Sequence, residues 1–138
     1  MGEELRCQNI ARYISQIQRK ANSFFLKELA HLGIGYGQFL FLMELYREDG
    51  VRQEDLAEGL NIDKGTTARA IKKLECESFI FRNEDKDDKR AYRVFLTEKG
   101  INSKDEIYGA AIKWENKLTK NLTLEEKNIM LSLLKKCI

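Results

Sequence analysis

The side chains best equipped for chemistry in this chain are cationic. Arg69, Lys72 and Lys73 share one face of the segment Lys64 to Leu74, opposite Thr67, Ile71 and Leu74. Lys64 and Thr66 open the same segment, and Lys89 and Arg90 end a charged run further along. Ammonium, guanidinium and hydroxyl groups on one helix face are donors that phosphate oxygens and base edges accept from. Catalysis has no comparable set. His31 is the only histidine, and no nucleophile or acid is patterned with it, so it reads as a surface or helix-capping group. Cys7, Cys76 and Cys137 are odd in number, widely spread and without a CxxC, which argues against a disulfide framework or a zinc site. Three reduced thiols, no cofactor and no enzyme activity are expected.

The stretch that positions the cations is QEDLAEGLNIDKGTTARAIKKL, from Gln53 to Leu74. Leu56, Ala57 and Leu60 form the apolar stripe of a short helix, and Ala57 is small enough for a second helix to cross nearby. Asn61 tolerates the left-handed backbone of a tight turn. Ile62 plugs the core, and Asp63 is an N-cap for the next helix. A helix with an apolar back and a Thr/Arg/Lys front, entered through a sharp turn, suits a DNA major groove. A generic helical hairpin with a solvated basic face would share the pattern.

At 138 residues the chain suits one domain with a sizeable core. Apolar residues are 43% and charged residues 33%, a globular but highly charged composition, and no apolar run approaches membrane-spanning length. The opening MGEELRCQN is acidic and lacks an apolar core, so no signal peptide is read there, and a cytoplasmic protein is expected. The net charge is only +2. Between Lys64 and Arg93, however, nine basic residues face six acids, so that span carries +3 and the remainder −1. Positive charge gathers where a phosphate-facing surface would need it.

Ahead of the hairpin, Ile10, Ile14, Ile17, Ala21 and Phe24, extended by Phe25 and Leu29, predict a helix from Glu4 to about Ala30. Its length suggests packing beyond its own domain, against a partner chain; a long helix lying across its own domain is the alternative. Glycines at 33, 35 and 37 punctuate a turn, and a second helix begins at Tyr36 with Phe39, Leu42, Met43 and Tyr46 inward, ending near Asp49-Gly50. After the hairpin, Phe79 to Asn83 and Tyr92 to Thr97 read as strands joined by the polar run Glu84 to Arg90, forming a wing. The Asp85-x-Asp87 pair lacks the glycine and distal glutamate of a calcium loop, so no metal is expected. Arg90 suits a narrow minor groove, where the negative potential is strongest; a solvated arginine balanced by Asp87 and Asp88 is the alternative. Thr97 caps a helix with Ile107, Ala110, Ala111, Trp114 and Leu118 on one face, breaking at Asn121-Leu122. Thr123 to Glu126 is a capping box for the last helix, whose Met130, Leu133, Leu134 and Cys137 are expected to face inward. The order is α-α-α-α-β-β-α-α, mainly helical.

The run DLAEGLNIDKGTTARAIKKLE followed by FIFRNEDKDDKRAYRVFLTEKG resembles the MarR family of dimeric winged-helix transcriptional regulators. The most specific part is Asp88-x-Arg90-Ala91, then Val94-x-Leu96-Thr97-x-x-Gly100, and the likeness in order and length covers the whole chain. It implies a homodimer whose first, fifth and sixth helices interlock, dividing the chain into a helical dimerisation region (1–35 and 101–138) and a winged-helix lobe (36–100). It also implies a helix in the major groove and a wing in the minor groove of a pseudo-palindromic operator, with half-sites about 10 bp apart, and repression of transcription. Carried over by position, Lys64, Thr66, Ala68 and Arg69 occupy the exposed first turns of the recognition helix, Lys72 and Lys73 its phosphate-facing part, and Arg90, beside Lys89, the wing arginine. Gly65 and Ala68 stand where polar residues are common in the family, which shifts affinity towards phosphates and groove shape. Gly59 replaces a usual charged residue at a cost of about 1 kcal/mol.

Many members of the family release DNA when a small aromatic anion binds between the dimer helices and the DNA-binding lobe. Tyr36 and Met43, with Arg12 or Arg19, are the candidates for such a pocket, although core and surface roles explain each of them equally. Another branch senses peroxide through an N-terminal cysteine; Cys7 lies about one turn too early and has only Arg6 as a basic neighbour. A protein-interaction module would also use amphipathic helices, and steep salt dependence of DNA binding separates it from a regulator.

Overall fold

Aromatic rings hold the first two helices together. The computed structural model describes residues 2–3 and 9–138, so Cys7 lies outside the described residues. Helix α1 (Ile10–Glu28) is capped by Asn9, whose side chain accepts from Arg12 N, and it buries Ala21 and Phe25. A 3-10 turn (Ala30–Leu32) ends at Gly33 with φ 74, and α2 follows (Tyr36–Arg47). Phe25 stacks on Phe39 at 4.2 Å between ring centroids and on Tyr36 at 5.2 Å, and Trp114 tilts over Phe24 and Phe25.

Helix α2 is buried on more sides than expected. Phe39 and Leu42 are buried, but so are Phe41 and Leu45, while Met43 and Tyr46 are only partly covered. The reason is its position. It packs against α1, against α4 (Lys64–Cys76) and against α6 (Lys104–Thr119), so no single stripe describes it.

The sheet holds one more strand than the sequence suggested. Val51–Arg52 (β1) pairs antiparallel with β3 (Tyr92–Leu96), which also pairs with β2 (Ile80–Glu84), giving the order β1-β3-β2. Two residues carry no period of their own; only the partner strand defines β1. Between β1 and α4 lies α3 (Gln53–Leu60). It buries Leu56 and Ala57, while a Cβ at Gly59 would meet open space.

Ser78, in the turn from α4 to β2, holds φ 65, a left-handed conformation unusual outside glycine. The segment after β3 clamps this turn: Thr97 Oγ1 donates to Ser78 O at 2.6 Å, Thr97 N donates to Phe79 O at 3.0 Å, and Lys99 Nζ donates to Glu77 O at 2.7 Å.

After the wing, the expected single helix is divided. Thr97 caps α5 (Glu98–Asn102), and α6 starts afresh beyond Ser103. Ser103 Oγ donates to Lys99 O at 2.8 Å, the back-bond that bends helices. Thr123 and Glu126 form the expected capping box of α7 (Leu124–Lys136). The inward placement of Met130, Leu133, Leu134 and Cys137 is corrected: α7 buries no residue in this chain, Leu133 is 55% exposed and Cys137 is exposed. Periodicity shows that a helix has an apolar side but not what covers it. No helix among the described residues is long and apolar enough to cross a membrane.

Candidate DNA interface

The turn between α3 and α4 forms as its residues dictate. Asn61 is left-handed, φ 53 and ψ 45, and its N–H closes the end of α3. Asp63 then accepts from Thr66 N and Thr66 Oγ1, both at 2.7 Å. The Thr66 backbone bond is the main cause, followed by the Thr66 hydroxyl, of an Asp63 carboxyl held below its ordinary value, so it stays charged as a cap. The next turn continues the chain of contacts, since Arg69 Nη2 donates to Thr66 Oγ1 at 3.1 Å. The guanidinium is thus guided along the outside of the helix.

Helix α4 buries Thr67, Ala70, Ile71 and Leu74. Lys64, Thr66, Ala68, Arg69, Lys72 and Lys73 are all exposed on it, as the 3.6-residue period requires. Gly65 and Ala68 leave the first two turns of this face short of polar atoms.

Lys89 and Arg90 are exposed at the wing tip, the Arg90 side chain to 95%. Arg90 N donates to Asp88 Oδ1 at 3.0 Å, and its Nε lies 3.7 Å from the same oxygen. Lys64 and Arg90 line one cleft of about 410 Å³, together with Gln53, Glu54, Thr67, Asp88 and Tyr92. The start of the basic helix and the wing tip therefore open onto the same space. Gln53 Oε1 and Thr67 Oγ1 are buried without a protein hydrogen bond among the described residues, so its floor is polar.

Asp85, which in the sequence stands out only as half of the Asp85-x-Asp87 pair, is the buried acid of an ion-pair cluster. The residue is 3% exposed. Arg52 Nη2 donates to its Oδ2 at 2.5 Å and Arg93 Nε to its Oδ1 at 2.8 Å. The Arg93 hydrogen bond is the largest cause lowering its pKa. The alternation of β3 places Arg93 on the outer wing face, a signal available in the sequence; the partner in β1 was not.

The tentative ligand residues are dispersed. Arg12 and Arg19 are exposed on α1, and Arg19 Nη1 donates to Ser15 Oγ at 2.6 Å. Tyr36 is stacked on Phe25, and its hydroxyl pKa is raised by burial. Met43 packs against the core. Arg19 lines a depression of about 550 Å³ with Lys20, Phe24, Lys27 and Lys117, and neither Tyr36 nor Met43 forms its walls. His31 is exposed, as expected, but it has a partner: its Nε2 meets Glu106 of α6.

Comparison with known proteins agrees with this geometry. Residues 34–92 match the MarR family. The chain is similar to the uncharacterized HTH-type transcriptional regulator YybA of Bacillus subtilis, 41% identical over 67% of this chain and 61% of that protein; it thus spans about three fifths of that relative. It is also similar to the crystal structure of a MarR transcriptional regulator from Methanosarcina mazei, with a TM-score of 0.85 and 44% identity over 92% of both chains. A mutant MarR from E. coli complexed with operator DNA superposes with a TM-score of 0.85 at 25% identity, over 98% of this chain and 97% of that one. These relatives are regulators and not enzymes. A helix-turn-helix with a basic outer face, a three-stranded wing and this likeness along nearly the whole chain make the protein a member of the MarR family of DNA-binding transcriptional regulators.

Proposed function

We propose that the protein binds a pseudo-palindromic duplex operator as a homodimer and represses transcription there, with α4 in the major groove and the wing in the adjacent minor groove. The observation that carries this is the shared cleft: Lys64, at the start of α4, and Arg90, on the wing, line the same space. Lys64, Thr66, Ala68 and Arg69 meet the base edges and neighbouring phosphates, Lys72 and Lys73 the phosphates, and Lys89 and Arg90 the minor groove and its rim.

Dimer formation is supported by apolar surface that this chain leaves open. On α7, Leu124, Ile129, Leu131 and Leu133 are more than half exposed, and Ile10 and Tyr13 on α1 are as well. Leu124, Ile129 and Leu133 line one open depression, and exposed apolar surface gathered in this way marks an interaction site. A two-fold pair supplies two recognition helices about one DNA turn apart, which matches a pseudo-palindrome. On this reading residues 1–35 and 101–138 form the dimerisation region and 36–100 the DNA-binding lobe. Release by a small aromatic anion is the finer part of the reading, supported by the cations beside Phe24 in the Arg19 depression.

The test is a titration against the chain's own upstream DNA at two salt concentrations, with a footprint. Two symmetric protected half-sites and a steep salt slope are expected. Arg69→Ala and Arg90→Ala should each cost about 1–3 kcal/mol of specific binding. Unchanged affinity in both variants would overturn the docking.

A further inference from the structure

We infer that Asp85 is a positioning residue for DNA recognition: without touching DNA, it ties the wing to the helix-turn-helix and so sets where Arg90 lies. The inference rests on the minor-groove role of Arg90 proposed above.

Arg52 and Arg93 are directly paired across β1 and β3. Two like charges opposite one another destabilise a sheet unless a counter-charge sits between them. Asp85 supplies it. Asn83 pairs with Arg93, and Asp85, two residues on, lies on the same face of the wing. Each carboxylate oxygen takes one guanidinium, Arg52 at 2.5 Å and Arg93 at 2.8 Å, and the Asp85 side chain is only 1% exposed. Arg93 Nη1 also donates to Gly50 O at 2.9 Å. The carboxylate therefore joins the ends of all three strands.

Its two ends matter for function. Arg52 is the N-cap residue of α3, the first helix of the helix-turn-helix. Asp85 is also the first residue of the tip loop, which its own backbone closes: Asp85 N donates to Ala91 O at 2.9 Å, and within that loop Ala91 N donates to Asp88 O at 3.0 Å. Arg90 sits inside this closed loop. The frame that carries Arg90 is thus bolted through one buried carboxylate to the frame that carries α4. Paired guanidinium–carboxylate contacts of this kind fix geometry as well as charge.

Charge and position make opposite predictions, and this permits a decisive test. Asp85→Asn removes a negative charge and loosens two arginines, so phosphate attraction alone would strengthen binding to any duplex. A positioning role requires that operator binding weaken. The full-length protein is titrated with an operator duplex and with a scrambled duplex of the same length, for wild type, Asp85→Asn, Arg90→Ala and the double variant, with a minor-groove hydroxyl-radical footprint. Asp85→Asn is expected to lower the operator-to-scrambled affinity ratio on the order of tenfold and to erase wing protection while major-groove contacts persist. The double variant is expected to lose no more specificity than Arg90→Ala alone. Asp85→Glu, which keeps the charge, should recover part of the ratio. If Asp85→Asn does not fold, Arg52→Lys and Arg93→Lys, which keep charge but lose the fork geometry, are measured in the same way. An unchanged ratio, or a loss that adds fully to that of Arg90→Ala, would overturn the inference. Arg90→Ala with an unchanged ratio would instead overturn the minor-groove reading beneath it.

Discussion

The Tyr46 hydroxyl on α2 donates a 2.6 Å hydrogen bond to the backbone carbonyl of Gly100 in α5. The Tyr46 ring also meets Tyr108 of α6 edge-on, with centroids 5.7 Å apart. One side chain thus joins the body of the winged helix to the segment that leads out of it. Burial, and then the nearness of Tyr108, push the Tyr46 pKa up to about 12. Replacing Tyr46 with Phe is expected to cost about 0.5–1.5 kcal/mol in urea unfolding, the worth of one partly buried hydrogen bond. The raised value also sets an alkaline limb. A group whose folded pKa lies above its unfolded 10.0 contributes fully below pH 10, and that contribution is lost as pH rises towards 12. The variant should lose less stability than wild type across that window.

Gly100 ends the stretch Val94 to Gly100 for a steric reason. A Cβ there would run into the Phe79 carbonyl, which is fixed by its bond from Thr97 N. Backbone cannot swing aside as a side chain would. Gly100→Ala should therefore destabilise by about 1–3 kcal/mol, read as a lowered melting temperature.

Acid should weaken the DNA-binding elements together. Asp63 is held below its ordinary 3.8 by the Thr66 hydrogen bonds, and Asp85 by Arg93 and then Arg52. A carboxyl with a depressed folded pKa contributes its full stability above the unfolded value and loses it as pH falls through the folded one. Stability from both should be constant above about pH 5 and fall below about pH 4. Asp63→Asn keeps an N-cap but cannot titrate, so its acid unfolding curve should fall less steeply than that of wild type.

The open face of α7 predicts an association measurement. Leu131→Glu together with Leu133→Glu places two charges on exposed apolar positions that this chain does not bury. For the proposed homodimer, equilibrium sedimentation should shift from dimer to monomer while the helical circular dichroism signal is retained. Operator affinity should fall by at least about tenfold, since one half-site then binds alone. A double variant that stayed dimeric would place the interface elsewhere.

What is legible in the sequence is what neighbours along the chain decide. Asp63, Thr97 and Thr123 cap helices through bonds to N–H groups three residues on, and Asn61 takes its left-handed turn from its own backbone freedom. The split of α4 into a buried Thr67, Ile71 and Leu74 and an exposed Arg69, Lys72 and Lys73 follows from helical period alone. The basic helix and the wing of the candidate DNA interface are therefore readable from residue types and spacing. What only the tertiary structure decided involves residues far apart. The two residues of β1 are a strand because Val94 and Arg93 lie beside them, and Asp85 is buried because Arg52 and Arg93 converge on it. The outward face of α7 belongs to the same class: its pattern states that apolar surface must be covered, and only the packing of the whole chain shows that this chain does not cover it. Caps and periods act over a few residues and leave a mark on the local sequence, whereas strand pairing, charge pairing and burial depend on which distant segments meet, and no short window records that.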